Sequence, residues 1–158
     1  MTEVFRARIF NQKLVAAPAT AVWDVLTDWA GVERLRRPES ASGPLSVKET
    51  KLVGDKDSTP RTRVFHFNSD LPVVSETLLH QDDELMHLYY NIEGVGPMGI
   101  RNYLATTDVD ELTDNLCQVT ITARFDAPEG VDLVQAKNII NTAHLGVIAG
   151  LKYNLEGK

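Results

Sequence analysis

D-A-P-E-G-V-D-L-V-Q-A-K-N-I-I-N-T-A-H-L-G-V-I-A-G-L-K-Y-N-L, residues 126–155, is the stretch whose reading decides the fold. It opens on a turn signal and then runs without proline. Val131, Val134, Ala136, Ile139, Ile140, Ala143, Val147, Ile148, Leu151 and Leu155 recur at steps of three and four, the period of one helical face. At roughly 1.5 Å per residue such a helix is about 36 Å long. A helix of that length needs a broad surface to lie against, and the segments before it read as strands. The surface is therefore expected to be a sheet.

The helical stripe contains an anomaly. Ile140, Val147 and Leu151 point the same way at about 100° per residue, and His144 points with them. Two readings stay open: a core histidine bonded to a carbonyl, or a polar group aimed into a cavity between helix and sheet. Asn141 and Asn154 read as solvent-facing.

Working outward, the remaining chain alternates. Residues 4–16 form a strand whose pattern slips near Asn11-Gln12, where a bulge is expected. Ala17-Pro18 opens a helix with Ala21, Val22, Val25, Leu26 and Trp29 on its apolar face. Asp28 caps a second short helix ending near Arg37-Pro38. Six strands follow, over 46–53, 61–68, 73–80, 85–92, 100–109 and 116–125. Arg63, Phe65 and Phe67 share one face, as do Leu88, Tyr90 and Ile92. Seven antiparallel strands, two short helices after the first strand and a long terminal helix make an α+β architecture in one domain spanning 1–158.

Composition narrows the function classes. The chain has 158 residues, a net charge of −6 and 43% hydrophobic content. The acidic balance argues against a nucleic-acid or anionic-membrane partner. No apolar run approaches the roughly 18 residues a membrane span needs. The N-terminus alternates instead of forming a secretory segment, so a cytoplasmic location is expected. One cysteine, Cys117, leaves no internal disulfide and no multi-cysteine metal site. His66, His80, His87 and His144 have no ligand spacing among themselves, and no phosphate-binding glycine motif is present. No metal and no cofactor are expected.

Four strings carry a resemblance: A-P-A-T-A-V-W-D-V-L-T-D-W at 17–29, S-E-T-L-L-H-Q-D-D-E at 75–84, N-Y-L-A-T at 102–106 and A-R-F-D-A-P-E-G at 123–130. In this order, ahead of the long helix, they resemble the helix-grip (SRPBCC) superfamily of START domains, polyketide cyclases and the birch-pollen allergen. The chain looks especially like the polyketide cyclase/dehydrase branch and is similar to plant abscisic acid receptors. The resemblance implies a curved sheet around the terminal helix, with a ligand cavity roofed by two loops. One loop would be Ser69-Asp70-Leu71-Pro72 and the other Gly94 to Gly99. The chain departs from the receptors in the second loop, which reads Met98-Gly99-Ile100-Arg101. It also has Leu35-Arg36-Arg37-Pro38 where a Trp-His-Pro string is common in bacterial members.

The resemblance singles out Glu76 as a pocket-facing carboxylate and Tyr103 as an inward hydroxyl, and His144 joins them as the third catalytic candidate. Parity with Tyr103 adds Arg101 and Ala105. Phe65, Phe67, Leu88, Tyr90, Ile92, Ile121, Ala123 and Phe125 would form the apolar walls, Ile140, Ala143 and Val147 the helix side, and Leu71 the mouth. The expected function is a cofactor-independent cyclase or dehydratase acting on a hydrophobic, oxygenated, polyketide-like small molecule. The alternative is a non-catalytic carrier of a lipid or other apolar ligand. A monomer or homodimer is expected.

Overall fold

Alternation builds the sheet, and the computed structural model, which describes residues 4–31 and 46–157, shows where each face points. Seven strands are ordered β1-β7-β6-β5-β4-β3-β2, every pair antiparallel. They are β1 (Val4–Val15), β2 (Val47–Val53), β3 (Arg61–Phe67), β4 (Val74–Asp82), β5 (His87–Val95), β6 (Arg101–Thr113) and β7 (Leu116–Pro128). α1 (Ala19–Thr27) follows β1, and α2 (Leu133–Leu155) follows β7. The second short helix expected after α1, and the Leu35-Arg36-Arg37-Pro38 string, lie outside the described residues.

The inward residues of consecutive strands meet in one core. Phe125, Leu78, Leu88, Val15 and Val119 are fully buried, each contributing about 1.5–3 kcal/mol of hydrophobic stabilisation. The expected bulge in β1 is absent: its register with β7 runs unbroken from Val4↔Pro128 to Val15↔Cys117. The slip in the hydrophobic pattern has another cause. Asn11 keeps the inward parity and donates from Nδ2 to Oδ1 of Asn141 on α2, at 2.9 Å. Asn141 is thus half-buried and not solvent-facing, and Asn154 is also half-buried, bonding back to the Gly150 carbonyl at 2.8 Å.

Asp132 starts α2 by accepting from the Gln135 N–H at 3.0 Å, satisfying one of the free donors of the first turn. The helix lies along β1 and touches β7 and α1. Its buried side is Ala136, Ile140, His144, Ile148, Gly150 and Leu151. That stripe is narrower than periodicity suggests. Val134 is 68% exposed and Ala143 faces outward, so the expectation that Ala143 lines a cavity is wrong: it lies one residue outside the i, i+4 row. Val147, at the edge of the stripe, is half-buried.

α1 is locked by a buried arginine. Arg61, 5% exposed, donates from Nη2 to the Thr27 carbonyl and to Gln81 Oε1, both at 2.8 Å, and from Nη1 to the Ser58 carbonyl at 3.0 Å. It thereby satisfies an orphan carbonyl at the end of α1.

Candidate functional site

Cross-strand register assembles the site. Arg63 on β3 faces Glu76 on β4, Glu76 faces Ile92 on β5, and Ile92 faces Tyr103 on β6. These four form one row across the inner face. Tyr90 stands in the adjoining row, between Leu78 and Ala105. The row lies close to the end of the sheet that carries the 68–73 and 96–100 connections. α2 closes over it with His144.

Two polar contacts organise this apolar setting. The Tyr103 hydroxyl and His144 Nε2 are 2.7 Å apart, both residues being buried. His144 Nδ1 has no hydrogen-bond partner among the described residues. Burial lowers the imidazole's pKa from 6.5 to about 4, so the ring is neutral near pH 7. Either Tyr103 donates to Nε2 and Nδ1–H is a free donor, or Nε2–H donates to Tyr103 and Nδ1 is a free acceptor.

The second contact is ionic. Arg63 Nη2 donates to Glu76 Oε1 at 3.3 Å, with both side chains about nine-tenths buried. Burial raises the Glu76 pKa, and the Arg63 cation partly opposes that rise. The Tyr103 and Tyr90 hydroxyls, which are hydrogen-bonded to each other, are pushed up as well: both first by burial, Tyr103 then by Tyr90 and Glu76, and Tyr90 then by Glu76. Both therefore stay protonated donors at neutral pH.

Aromatic rings fix the cation. The Arg63 guanidinium carbon sits 3.6 Å from the centroid of the Trp29 ring, with Phe65 and Tyr90 at 5.2 and 5.5 Å. Trp29, just past the end of α1, donates from Nε1 to the Glu76 carbonyl at 3.1 Å. The ring is thus tied to the backbone of β4.

The wall residues fall into groups. Phe65, Leu88, Tyr90, Ile92, Ala105, Ile121, Ala123, Phe125 and Ile140 are buried in the core, and Phe67 is half-buried. Leu71 is 37% exposed in its loop. Arg101 is not beside Tyr103, as parity had suggested, but exposed on the outer side, where it lines a groove of about 580 Å³ with Arg6, Asn91, Glu93 and Arg124. The cause is a register shift between Arg101 and Leu104, with Asn102 in the left-handed region at φ 54°. One residue of slip turns a side chain to the other face. Sequence reasoning missed Arg63 and Trp29 as site residues. The available signal was parity, since Arg63 alternates with Phe65 and Phe67 on the inner face.

No group of three or more potential metal ligands occurs among the described residues, and no helix there is long and apolar enough to cross a membrane. An open antiparallel sheet gripping a long terminal helix, with a buried polar row between them, defines a protein of the helix-grip class. The chain belongs to the polyketide cyclase / dehydrase and lipid transport family, whose profile matches residues 6–156. Among solved structures it is similar to a truncated norcoclaurine synthase from Thalictrum flavum, at 20% identity over 100% of this chain and 99% of that one, with a TM-score of 0.71. A solution structure from Thermobifida fusca shares 25% identity over 92% and 90% of the two chains, at a TM-score of 0.69. An uncharacterised protein from Bacillus thuringiensis shares 19% over 93% and 97%, at 0.71. No curated protein sequence matches.

Proposed function

We propose that the protein is a cofactor-independent enzyme of the cyclase/dehydratase type, acting on a hydrophobic, oxygenated, polyketide-like small molecule held against the inner face of the sheet. The observation that carries this reading is the buried Tyr103–His144 contact at 2.7 Å, on the same face as a buried carboxylate at Glu76. A phenol donor and a carboxyl group in a buried setting are the parts that enolisation needs. Glu76 takes a proton from a carbon flanked by carbonyls, and the Tyr103 hydroxyl, oriented by His144, donates to the enolate oxygen. The carbon attacks a second carbonyl of the same folded molecule, and Glu76 returns the proton to the new alkoxide. Glu76, ionised again, takes the second proton from the same carbon and passes it to the hydroxyl, which leaves as water as the C=C bond forms. Apolar walls such as Leu88, Ile121 and Phe125 hold the chain in the reactive conformer. The norcoclaurine synthase of the same fold is known in complex with dopamine and hydroxybenzaldehyde, two small oxygenated aromatics, which supports a ligand of that size.

A carrier without chemistry is the second reading. The pairing of Glu76 with Arg63 favours it, because a carboxylate already partnered is a weaker base. Incubation with a panel of hydrophobic β-polyketones, followed by mass analysis of products, separates the two. Catalysis predicts a cyclised or dehydrated product. Glu76→Gln and Tyr103→Phe should each lower turnover at least ~100-fold while ligand affinity stays within about threefold. Ligands bound and recovered intact from wild-type protein, with no product across the panel, would refute the enzyme.

A further inference from the structure

We propose that Arg63 is a preformed cation site for the paired oxygens of a delocalised organic anion, a carboxylate or a 1,3-dicarbonyl enolate, and that such a ligand displaces Glu76 as its partner. This rests on the reading of the inner face as the ligand site and adds the chemical class of the group bound there.

The geometry separates what holds Arg63 from what neutralises it. The guanidinium carbon sits over the Trp29 ring, 3.6 Å from its centroid, with Phe65 and Tyr90 beside it. Trp29 is in turn anchored to the backbone carbonyl of Glu76, not to its carboxylate. The cation therefore keeps its place when the carboxylate turns away. The link to Glu76 is weak by comparison. It is a single contact at 3.3 Å, whereas charge-assisted bonds of this type run at about 2.7–2.9 Å and are often bidentate. Arg63 Nε has no acceptor among the described residues. A buried guanidinium with five donors and one long bond is under-satisfied. Two coplanar oxygens on one ligand group would match its fork.

Charge balance then fixes the fate of Glu76. The Arg63–Glu76 pair is neutral, so a bound anion would leave one buried negative charge in excess. Glu76 removes that excess by taking up a proton. Burial already favours its neutral form. The charged or titratable groups coupled to it are Arg63 from β3, Tyr90 from β5 and Tyr103 from β6, with His144 of α2 one step further, bonded to Tyr103, and only Arg63 opposes protonation. In the catalytic cycle the same exchange occurs within one substrate. The C–H bond breaks, its proton forms the O–H bond of Glu76, and its electron pair becomes the enolate that Arg63 holds.

Titration calorimetry with 2-naphthoate and its uncharged analogue 2-naphthamide tests this at about pH 8, well above the ordinary carboxyl range, in two buffers of different ionisation enthalpy. Wild-type protein should bind the acid at least about tenfold more tightly than the amide, taking up about one proton with the acid and none with the amide. Glu76→Gln should keep the preference and lose the proton uptake. The double variant Arg63→Gln/Glu76→Gln, which leaves no unpaired buried charge, should lose the preference. 1-Phenylbutane-1,3-dione, read by its enolate absorbance, tests the dicarbonyl source by the same criteria. Equal affinity for acid and amide, or acid binding without proton uptake in wild type, would overturn the proposal. Proton-coupled naphthoate binding without polyketone turnover supports it while removing the catalytic reading. Turnover without that signature does the reverse.

Discussion

Acid should destabilise this protein through one imidazole. His144 is neutral and buried, with its pKa lowered from 6.5 to about 4, whereas in the unfolded chain it titrates near the ordinary value. Between those two values the unfolded state binds more protons than the folded one, so stability rises with pH across that window. His144's contribution is fully present above about 6.5 and is lost as pH falls towards 4. The gap corresponds to about 3 kcal/mol, a large share of the 5–15 kcal/mol typical of a domain. Glu76 acts in the opposite direction, since its folded pKa is raised. Its neutral form is favoured in the fold, and that contribution is lost as pH rises above the ordinary carboxyl range. Comparing wild type with His144→Leu isolates the histidine. In urea titrations from pH 7 to 4, with m near 1–3 kcal/mol/M, the wild-type midpoint should fall by roughly 1–3 M more than that of the variant. Parallel profiles for the two proteins would refute the assignment of a neutral, proton-excluding His144.

Three further substitutions test the fold. Asp132→Ala removes the N-cap of α2 and should cost about 1 kcal/mol, read as a lower thermal midpoint with unchanged far-ultraviolet dichroism. Arg61→Met strips the Thr27 and Ser58 carbonyls of their donor and should cost about 1–3 kcal/mol, with α1 exchanging its amide protons faster. Ala143→Trp, on the outward side of α2, should shift stability by no more than about 0.5 kcal/mol and leave naphthoate affinity unchanged; loss of binding would place that side chain at the ligand after all.

The legible parts of this chain were those governed by simple periods. Two-residue alternation gave all six strands from Val47 to Pro128 to within a few residues, because one face of each is buried. The helix over 133–155 followed from its three-and-four spacing and from the absence of proline. Legibility failed where a period is locally broken or where two polar residues satisfy each other. Arg101 precedes the irregularity at Asn102, which nothing in the local string announces, and parity carried across it places the arginine on the wrong face. Asn11 looked like a slip and Asn141 like a solvent-facing residue because their partnership spans 130 positions. Arg63 showed the same blindness. Parity puts Arg63 on the face of Phe65 and Phe67, but its role shows only when Trp29 and Glu76 are brought to it from other elements.

The order β1-β7-β6-β5-β4-β3-β2 also has a consequence for biosynthesis. The first strand made pairs with the last, Val15 with Cys117 and Val4 with Pro128, so more than a hundred residues of chain must emerge before β1 has a partner. At about 5–20 residues per second the ribosome imposes a wait of roughly 5–20 s. During that time the strand bearing Phe5, Ile9, Phe10 and Leu14 has no sheet to join. The β2–β6 meander can close in sequence as it appears, each hairpin on the last. The arrival of β7, followed by α2, then draws β1 in, a late and non-local step of the kind that slows folding. A chaperone acting on this domain during synthesis would find its binding site on β1.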